Sequence, residues 1–410
     1  MQENKGSKDG SNLHVSRRHM LATGGAALTI GPFYQALAQT NQFPGVYIQE
    51  LDQPPKSISA VEMSVGLFID RFSNDLAENE AHECFNEADL YRLVGKEGAL
   101  FFPVAYASAK NFFVHGGQRL FIVNASTIGE KPDWASIFDE PSILPDAELV
   151  YLPTAAQSYS AALNEVGALY RKVLNWCESQ KAMLLIDGPE TYSSAAAWRM
   201  ETNINSAHAV VYAPRLKELN CERMVIGAGG AAAGVIATFE RRRGVWKAPA
   251  GLNATLVGLL PATEMSGSGV ISLTNQNINA IRSLPGGTVL WGARTLSNDP
   301  FQKYLSVQRL VMMIEKSIYA GLDWAVFEPN AEPLWSSIEA SVFRFLTGLY
   351  RQGAFSGTRP DKSFFVECGL GQTMTQADID SGRLVCMIGV APLRPAEFIV
   401  RKFEWEGLPV

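Results

Sequence analysis

No Cys-x-x-Cys occurs in this 410-residue chain, and its five cysteines (Cys84, Cys177, Cys221, Cys368, Cys386) are scattered and odd in number. That pattern reads as buried small hydrophobes in a reducing compartment and not as a disulfide or zinc framework. The five histidines are equally dispersed. HExxH and DxDxDG are missing, so neither a standard zinc nor a standard calcium site is expected. GxxxxGK[ST] is missing too, which removes the P-loop, and no serine sits in a GxSxG elbow. No apolar run reaches the roughly 18 residues that cross a bilayer. The net charge of −6 leaves no basic footprint, so nucleic acid is not an expected partner.

Three stretches come near to chemistry without reaching it. Gly227-Ala228-Gly229-Gly230-Ala231-Ala232 fits GxGxxA after a short strand, a weak dinucleotide fingerprint. The acid expected about 20 residues on is absent, since that neighbourhood reads Val245-Trp246-Lys247. Close packing of a helix on a strand explains the small residues equally well. His115 and Asp187 could belong to a hydrolase triad, but a lone histidine before a glycine pair is more often a helix-end residue. Arg241-Arg242-Arg243 reads as a solvated loop or an interface ion pair before a phosphate site. The reading is therefore of a protein that is not an enzyme and that needs no cofactor and no metal.

What is present is an ordinary globular mix, 47% apolar and 19% charged, long enough for two or three domains. The most informative stretch is the tail. Arg383 to Val390 (RLVCMIGV) is a continuous apolar run of strand length, as in a strand buried on both faces. Pro392 and Pro395 then favour an extended connector. The last block, Ala396 to Trp405, is strand-like again, with Ile399, Phe403 and Trp405 on one face and Phe398 and Val400 on the other. An apolar strand beyond a proline hinge invites unwanted pairing unless something receives it. Two readings stay open: an edge strand of its own domain, or a strand donated to another subunit's sheet.

The first 42 residues stand apart. Residues 1–15 are polar, Arg17-Arg18 precede a weakly apolar stretch to Ile30, and Ala36-Leu37-Ala38 follows, the layout of a twin-arginine export signal. Phe43 to Leu51 reads as a turn and strand closed by Pro54-Pro55, so a second proline-flanked strand lies at the other end. Between them, strands are expected at Ser64–Phe68, Leu120–Val123, Ala182–Ile186, Ala209–Tyr212 and Met224–Ile226. Helices are expected around Asn86–Leu93, over Ser108 to the Gly116-Gly117 pair, and over Ala155–Ser179 with a stripe of Leu163, Val166, Tyr170, Val173, Leu174 and Cys177. Strands alternating with amphipathic helices indicate an α/β layer with a largely parallel sheet. Past Pro249, loops and short strands are expected up to Trp291. Two helices follow, Phe301–Ala320 and Asn330–Gln352, with Asn330 as cap and Pro333 in the first turn of the second. Phe364–Cys368 is a strand leading into the tail.

Four stretches carry a family resemblance: Pro44-Gly45-Val46-Tyr47 with Glu50; Phe112-Phe113-Val114-His115-Gly116-Gly117 before the Leu120 strand; and Gly234-Val235-Ile236-Ala237 with the GVWKAPA of Gly244–Ala250. The fourth and most specific joins Asn279-Ala280-Ile281-Arg282, Trp291-Gly292-Ala293-Arg294-Thr295-Leu296, the helix from Tyr304, Phe327-Glu328-Pro329-Asn330 and Pro392 to Phe398. In this order they cover roughly residues 43–410, and the chain resembles the tail sheath subunits of contractile phage tails and phage-like contractile injection systems. It departs from the family at Gly251, where an asparagine often follows APA, and residues 1–42 have no counterpart in the usual subunit.

The resemblance implies a subtilisin-like α/β domain without a protease site, a C-terminal α+β sheath domain, and extended strand arms at both ends. The corresponding division is 1–42 leader or arm, 43–95 strand arm and start of the core, 96–295 α/β domain, and 296–410 C-terminal domain with a donor strand. It implies stacked six-fold rings around an inner tube, contacts with baseplate and tail-terminator proteins, and contraction that drives the tube through a target envelope. Val46, Tyr47 and Ile48 at the front, and Phe398, Ile399, Val400 and Phe403 at the back, are the expected linkage residues; Trp291 and Arg294 are expected at the domain junction. Assembly is then cytoplasmic, with no insertion into a membrane. The competing readings are an exported α/β enzyme, for which the twin-arginine-like start speaks, and a scaffold that captures peptide strands.

Overall fold

The computed structural model describes residues 57–219, 221–393 and 399–406, the last stretch and 221–223 as backbone only. The twin-arginine-like leader, the Phe43–Leu51 strand with Val46, Tyr47 and Ile48, and Phe398 lie outside the described residues.

The strands are β1 Gly66–Asp70, β2 Ala81–Cys84, β3 Leu120–Asn124, β4 Leu149–Tyr151, β5 Met183–Asp187, β6 Ala209–Ala213, β7 Leu216–Glu218, β8 Cys221–Ile226 and β9 Leu259–Pro261. They continue as β10 Asn279–Leu284, β11 Gly287–Leu290, β12 Phe364–Cys368, β13 Arg383–Val390 and β14 Ile399–Glu406. The main helices are α1 Glu87–Phe101, α2 Pro103–Val114, α3 Leu163–Gln180, α4 Ala195–Thr202, α5 Gly229–Arg243, α6 Gly267–Asn275, α7 Leu305–Gly321 and α8 Glu332–Arg351.

Eight strands form one sheet in the order β11-β10-β6-β5-β4-β1-β3-β2. Its interior pairings are parallel, and Phe68 of β1 sits opposite Ile122 of β3 and Tyr151 of β4. Only the margins, β2 on β3 and β11 on β10, run antiparallel. The strands read as unbroken apolar runs because both faces are covered. Leu67 and Ile69 join Val150, Leu184, Ile186 and Val211 in one core with α3 and Trp134. Phe68, between them in sequence, joins Ile122, Tyr151, Leu185 and Phe112 in the other, packed by α2 and α5. That second core continues without a break through Leu310, Ile314, Ile338, Val342 and Phe345 to Phe364, Val366, Cys386 and Ile388. The C-terminal helices and the β12-β13-β14 sheet are thus built on one face of the α/β layer.

The α/β reading with a largely parallel sheet is what the chain shows, and three local readings need correction. The helix expected over Ala155–Ser179 is broken: a single turn at Ala155–Ser158 precedes α3. That turn is tied down separately, since Thr154 donates its amide and hydroxyl to Asp70, and Gln157 donates to the Val225 carbonyl. The Gly/Ser-rich stretch expected as loop holds α6, whose Ser266 accepts from the Gly269 amide at the N-cap. Asn330 does not cap α8. The N-cap position is Ala331, and Asn330 instead accepts from the Trp335 indole and donates to the Arg383 carbonyl, tying α8 to β13. The arginine run closes α5 as its last turn, where cations meet the negative end of the helix dipole.

Candidate functional site

Sequence reasoning singled out the tail, and its geometry there is specific. β13 is the middle strand of three, with β12 on one edge and β14 on the other, both antiparallel. The β13–β14 ladder runs over eight pairs, from Arg383 opposite Glu406 to Val390 opposite Ile399. Ile399, Val400 and Phe403 therefore stand opposite Val390, Gly389 and Cys386. At about 0.5–1.5 kcal/mol net per backbone hydrogen bond, such a ladder is worth on the order of 4–12 kcal/mol. The body side of the connector is fixed: Ala391 donates to the Ser363 carbonyl, Ser356 donates to the Ala391 carbonyl, and Phe355 bridges Pro392. In this single chain β14 closes on its own body. A second copy would present the same backbone groups in the same register.

At the other end, the described chain reaches β1 through an extended segment whose alternate backbone groups are held by side chains. The Val61 amide donates to Ser317 Oγ (3.0 Å) and the Met63 amide to Glu240 Oε1 (2.8 Å). Arg309 donates to the Met63 carbonyl (2.6 Å) and to Glu240 Oε2 (2.7 Å). The Val65 amide donates to Glu148 Oε2 (3.3 Å), and Lys316 bridges Glu148 (2.6 Å) and Asp146 (2.8 Å). Three of the clasping residues, Arg309, Lys316 and Ser317, lie on α7, so the segment is buttoned to that helix before it enters the sheet. Burial raises the Glu148 carboxyl even against the pull of Lys316. For Lys316 burial works against its charge, but Glu148 and Asp146 outweigh it and raise its pKa. None of these residues was foreseen. The available signal was charge beside the apolar stripe of α7: Arg309 and Lys316 are two turns apart on a helix whose Leu310, Val311 and Ile314 are buried.

The third location is the C-terminal edge of the parallel strands, where α/β folds usually place ligands. Here a cavity of about 290 Å³ opens beside Asp187, lined also by Tyr170, Thr191, Trp198 and Arg215, while the Asp187 carboxylate itself is spent on protein groups. Asp187, ending β5, accepts from Tyr151 Oη (2.7 Å) and from the Ala228 (2.8 Å) and Gly229 (3.2 Å) amides. Its carboxylate thus occupies the N-terminus of α5, where the GxGxxA turn would have held a phosphate. The glycines serve this packing: a Cβ on Gly227 would collide with Asp187 and Tyr151, and one on Gly230 with the Ser108 carbonyl. Burial pushes the Asp187 carboxyl up to about 6, against the hydrogen bonds from Tyr151, Gly229 and Ala228. Asp70, ending β1, is pushed up to about 7 by burial, against donors from Thr154 and Arg71. His115 is the C-cap of α2 and both ring nitrogens are engaged: Nδ1 donates to the Asn111 carbonyl (2.7 Å) and Nε2 accepts from the Val257 amide (2.9 Å). Burial lowers its pKa, in keeping with a neutral ring.

Trp291, half exposed, lies under the Arg282 guanidinium, 5.0 Å from its ring centroid. Arg294 donates its amide to Asn279 Oδ1 and its guanidinium to the Thr274 carbonyl, and bridges Tyr304 just before α7. Among the described residues no cluster of three metal-ligating side chains occurs, and no helix is long and apolar enough to cross a membrane.

Comparison with known proteins follows the same lines. Residues 297–405 match the family described as the phage tail sheath C-terminal domain. A Pseudomonas aeruginosa (strain UCBPP-PA14) protein described as a prophage major tail sheath protein is 27% identical over 188 residues, 43% of this chain. The match spans 47% of that relative's length. The sheath of the PVC extracellular contractile injection system in its contracted state is 29% identical with a TM-score of 0.70, over 88% of this chain and 97% of that one. The contracted helical sheath of the anti-feeding prophage is 27% identical with a TM-score of 0.71, over 88% and 99%. A sheath tail protein of Desulfitobacterium hafniense shares the fold, at 10% identity and a TM-score of 0.61. The resemblance to contractile tail sheath proteins, first carried by the WGARTL, FEPN and PAEF stretches, is borne out.

Proposed function

We propose that this chain is the structural subunit of a contractile tail sheath, polymerising as stacked six-fold rings around an inner tube and shortening to drive that tube through a target envelope. The observation that carries the reading is the β14 strand: an eight-pair ladder beyond a proline connector, on a body that matches contracted injection-system sheaths over 88% of its length. In the assembly, β14 of one copy lies on β13 of the next, and the strand around Val46, Tyr47 and Ile48 joins a neighbour's sheet. Phe398, Ile399, Val400 and Phe403 supply the other half of the link. A contact of this kind, donor on one side and acceptor on the other, does not close on itself and propagates as a helical array.

The division at 43–95, 96–295 and 296–410 belongs to this proposal, as do the subtilisin-like character of the α/β domain and the placement of Trp291 and Arg294 at the junction. So do the inner tube, baseplate and tail-terminator partners and the lack of catalysis. What speaks for structure over catalysis is that Asp187 and His115 spend their polar atoms on backbone groups and Tyr151.

Truncation after Pro395 tests the proposal. The shortened chain is expected to fold, to stay soluble and to form no tubes in negative-stain micrographs. Normal tubes from that variant would refute strand sharing at this end.

A further inference from the structure

Among the buried groups, one pair is placed for chemistry beyond its part in the core. Cys368 ends β12 and Cys386 lies in the middle of β13, directly opposite each other in the antiparallel ladder. Opposed residues of such a pair project from the same face. The Ala391 amide donates to the Ser363 carbonyl one step beyond the ladder, which marks that pair as hydrogen-bonded. Alternation from there makes Phe364–Val390, Val366–Ile388 and Cys368–Cys386 the non-hydrogen-bonded pairs. At such sites the Cα atoms approach to roughly 4.5 Å, inside the range a disulfide spans. Both sulfurs are free thiols here.

We propose that Cys368 and Cys386 are a redox modification site, a cross-strand dithiol that a small-molecule disulfide converts to a disulfide staple between β12 and β13. Cys368 is 5% exposed, at the strand end, and Cys386 is fully buried, so Cys368 reacts first. Its thiolate attacks one sulfur of oxidised glutathione, forming a mixed disulfide and releasing one glutathione thiolate. The Cys386 thiol loses its proton to solvent, and its sulfur attacks that of Cys368. The mixed disulfide breaks and the second glutathione leaves as thiolate. The protein loses two hydrogens and two electrons, and one oxidised glutathione becomes two reduced ones. The hydrogen bond to Cys368 and burial hold the Cys386 thiol above its ordinary pKa, so closure is slow, on the order of hours.

The staple closes the 369–385 loop and fixes the β12–β13 pair that receives β14, and leaves the β13 edge that pairs with β14 unaltered. The site stands on the hairpin geometry alone; only its effect on strand sharing rests on the sheath reading.

The test incubates the purified full-length chain with oxidised glutathione at pH 8, blocks remaining thiols with N-ethylmaleimide under denaturing conditions, and maps peptides without reduction. The expected result is a peptide linking Cys368 to Cys386, absent from Cys386→Ser, with Cys84 and Cys177 recovered as blocked thiols. The thermal midpoint of the oxidised chain should rise and return on reduction, and Cys368→Ser should show no such change. Recovery of Cys368 and Cys386 as separate thiols or separate glutathione adducts overturns the proposal, as does a midpoint that falls on oxidation. Tube formation by Cys368→Ser reports on strand sharing and not on the dithiol, so the two ideas fail separately.

Discussion

The clasp on the Val61–Val65 segment makes a prediction whose size follows from its geometry. Arg309→Met removes the guanidinium that holds both the Met63 carbonyl and Glu240. The pair is well buried, with side-chain exposures of 3% for Arg309 and 15% for Glu240. Removing one partner of a buried pair leaves the other charge uncompensated and costs about 3–5 kcal/mol. In an ordinary buried ion pair, replacing both partners by apolar groups is close to neutral. Here it should not be, because the Met63 amide and carbonyl also lose their partners, at about 1–3 kcal/mol for each buried orphan. Arg309→Met with Glu240→Gln should recover part of the loss, since glutamine carries no charge yet still accepts from the Met63 amide. The expected order of stability is wild type, then Glu240→Gln/Arg309→Met, then Arg309→Met. Denaturant midpoints measure the order, and hydrogen exchange shows whether the amides of Val61, Met63 and Val65 lose protection together. Arg309→Met within about 0.5 kcal/mol of wild type, or unchanged protection at Met63, would refute the clasp.

Asp70 gives a pH signature. Its carboxyl rises from the model-peptide value of 3.8 to about 7, so the folded chain keeps a proton that the unfolded chain has released. The stability it contributes is full below about pH 4 and is lost as pH rises toward 7, on the order of 4 kcal/mol at most. Midpoints of wild type measured from pH 4 to 8 should fall relative to those of Asp70→Asn, and a difference that rises across that window would contradict the burial argument. Gly230→Ala drives a methyl into the Ser108 carbonyl and should cost about 1–3 kcal/mol, whereas Gly348→Ala meets nothing within 4 Å in α8 and should gain about 0.5–1. Equal midpoints for those two variants would show that Gly230 is not there for close approach. His115→Ala removes the acceptor of the Val257 amide; Val257 is exposed and water can replace that partner, so stability should fall by only about 0.5–1.5 kcal/mol, with no pH dependence between 7 and 8.

Strands β1, β3, β5 and β6, the two C-terminal helices and the strands β12 and β13 were legible because their apolar residues repeat at strand or helix period; β4, only three residues long within a proline-rich stretch, was not. Val307, Leu310, Val311, Ile314 and Ile318 are all buried as that stripe required. Periodicity says nothing of polar groups that act between distant segments. The Glu240–Arg309–Met63 clasp joins residues separated by up to 246 positions, and no local pattern announces it. The same gap explains Asn330. A residue type that favours N-caps was assigned one, while the folded chain offered its amide an indole and a carbonyl from elsewhere. Asp187 shows the converse: a motif legible as a ligand site was filled by a carboxylate lying 41 residues before the turn it caps.

Strand sharing and the clasp also constrain each other energetically. In the proposed exchange β14 leaves its own β13 for a neighbour's, so one eight-pair ladder is lost and an identical one is gained. The backbone term cancels, so the ladder does not favour exchange. It sets only how firmly the link holds once made. The balance falls to the connector and to whatever faces meet between subunits, and two prolines reduce the connector's freedom in either arrangement. A link that conserves its own hydrogen bonds can persist while subunit bodies rotate, provided the root of each arm does not yield first. At the C-terminal root, Ala391 and Pro392 are tied to Ser363, Ser356 and Phe355. Toward the N-terminus, among the described residues, Ile58 packs into the core and the clasp follows it, leading to α7, whose core is continuous with β12 and β13. Tension entering at either arm therefore reaches the same apolar body. Weakening the clasp by Arg309→Met should loosen the arm's root while leaving the β13–β14 ladder intact. Tubes of that variant are expected to assemble and then to fragment on contraction, and tubes that contract whole would show that the root carries no tension.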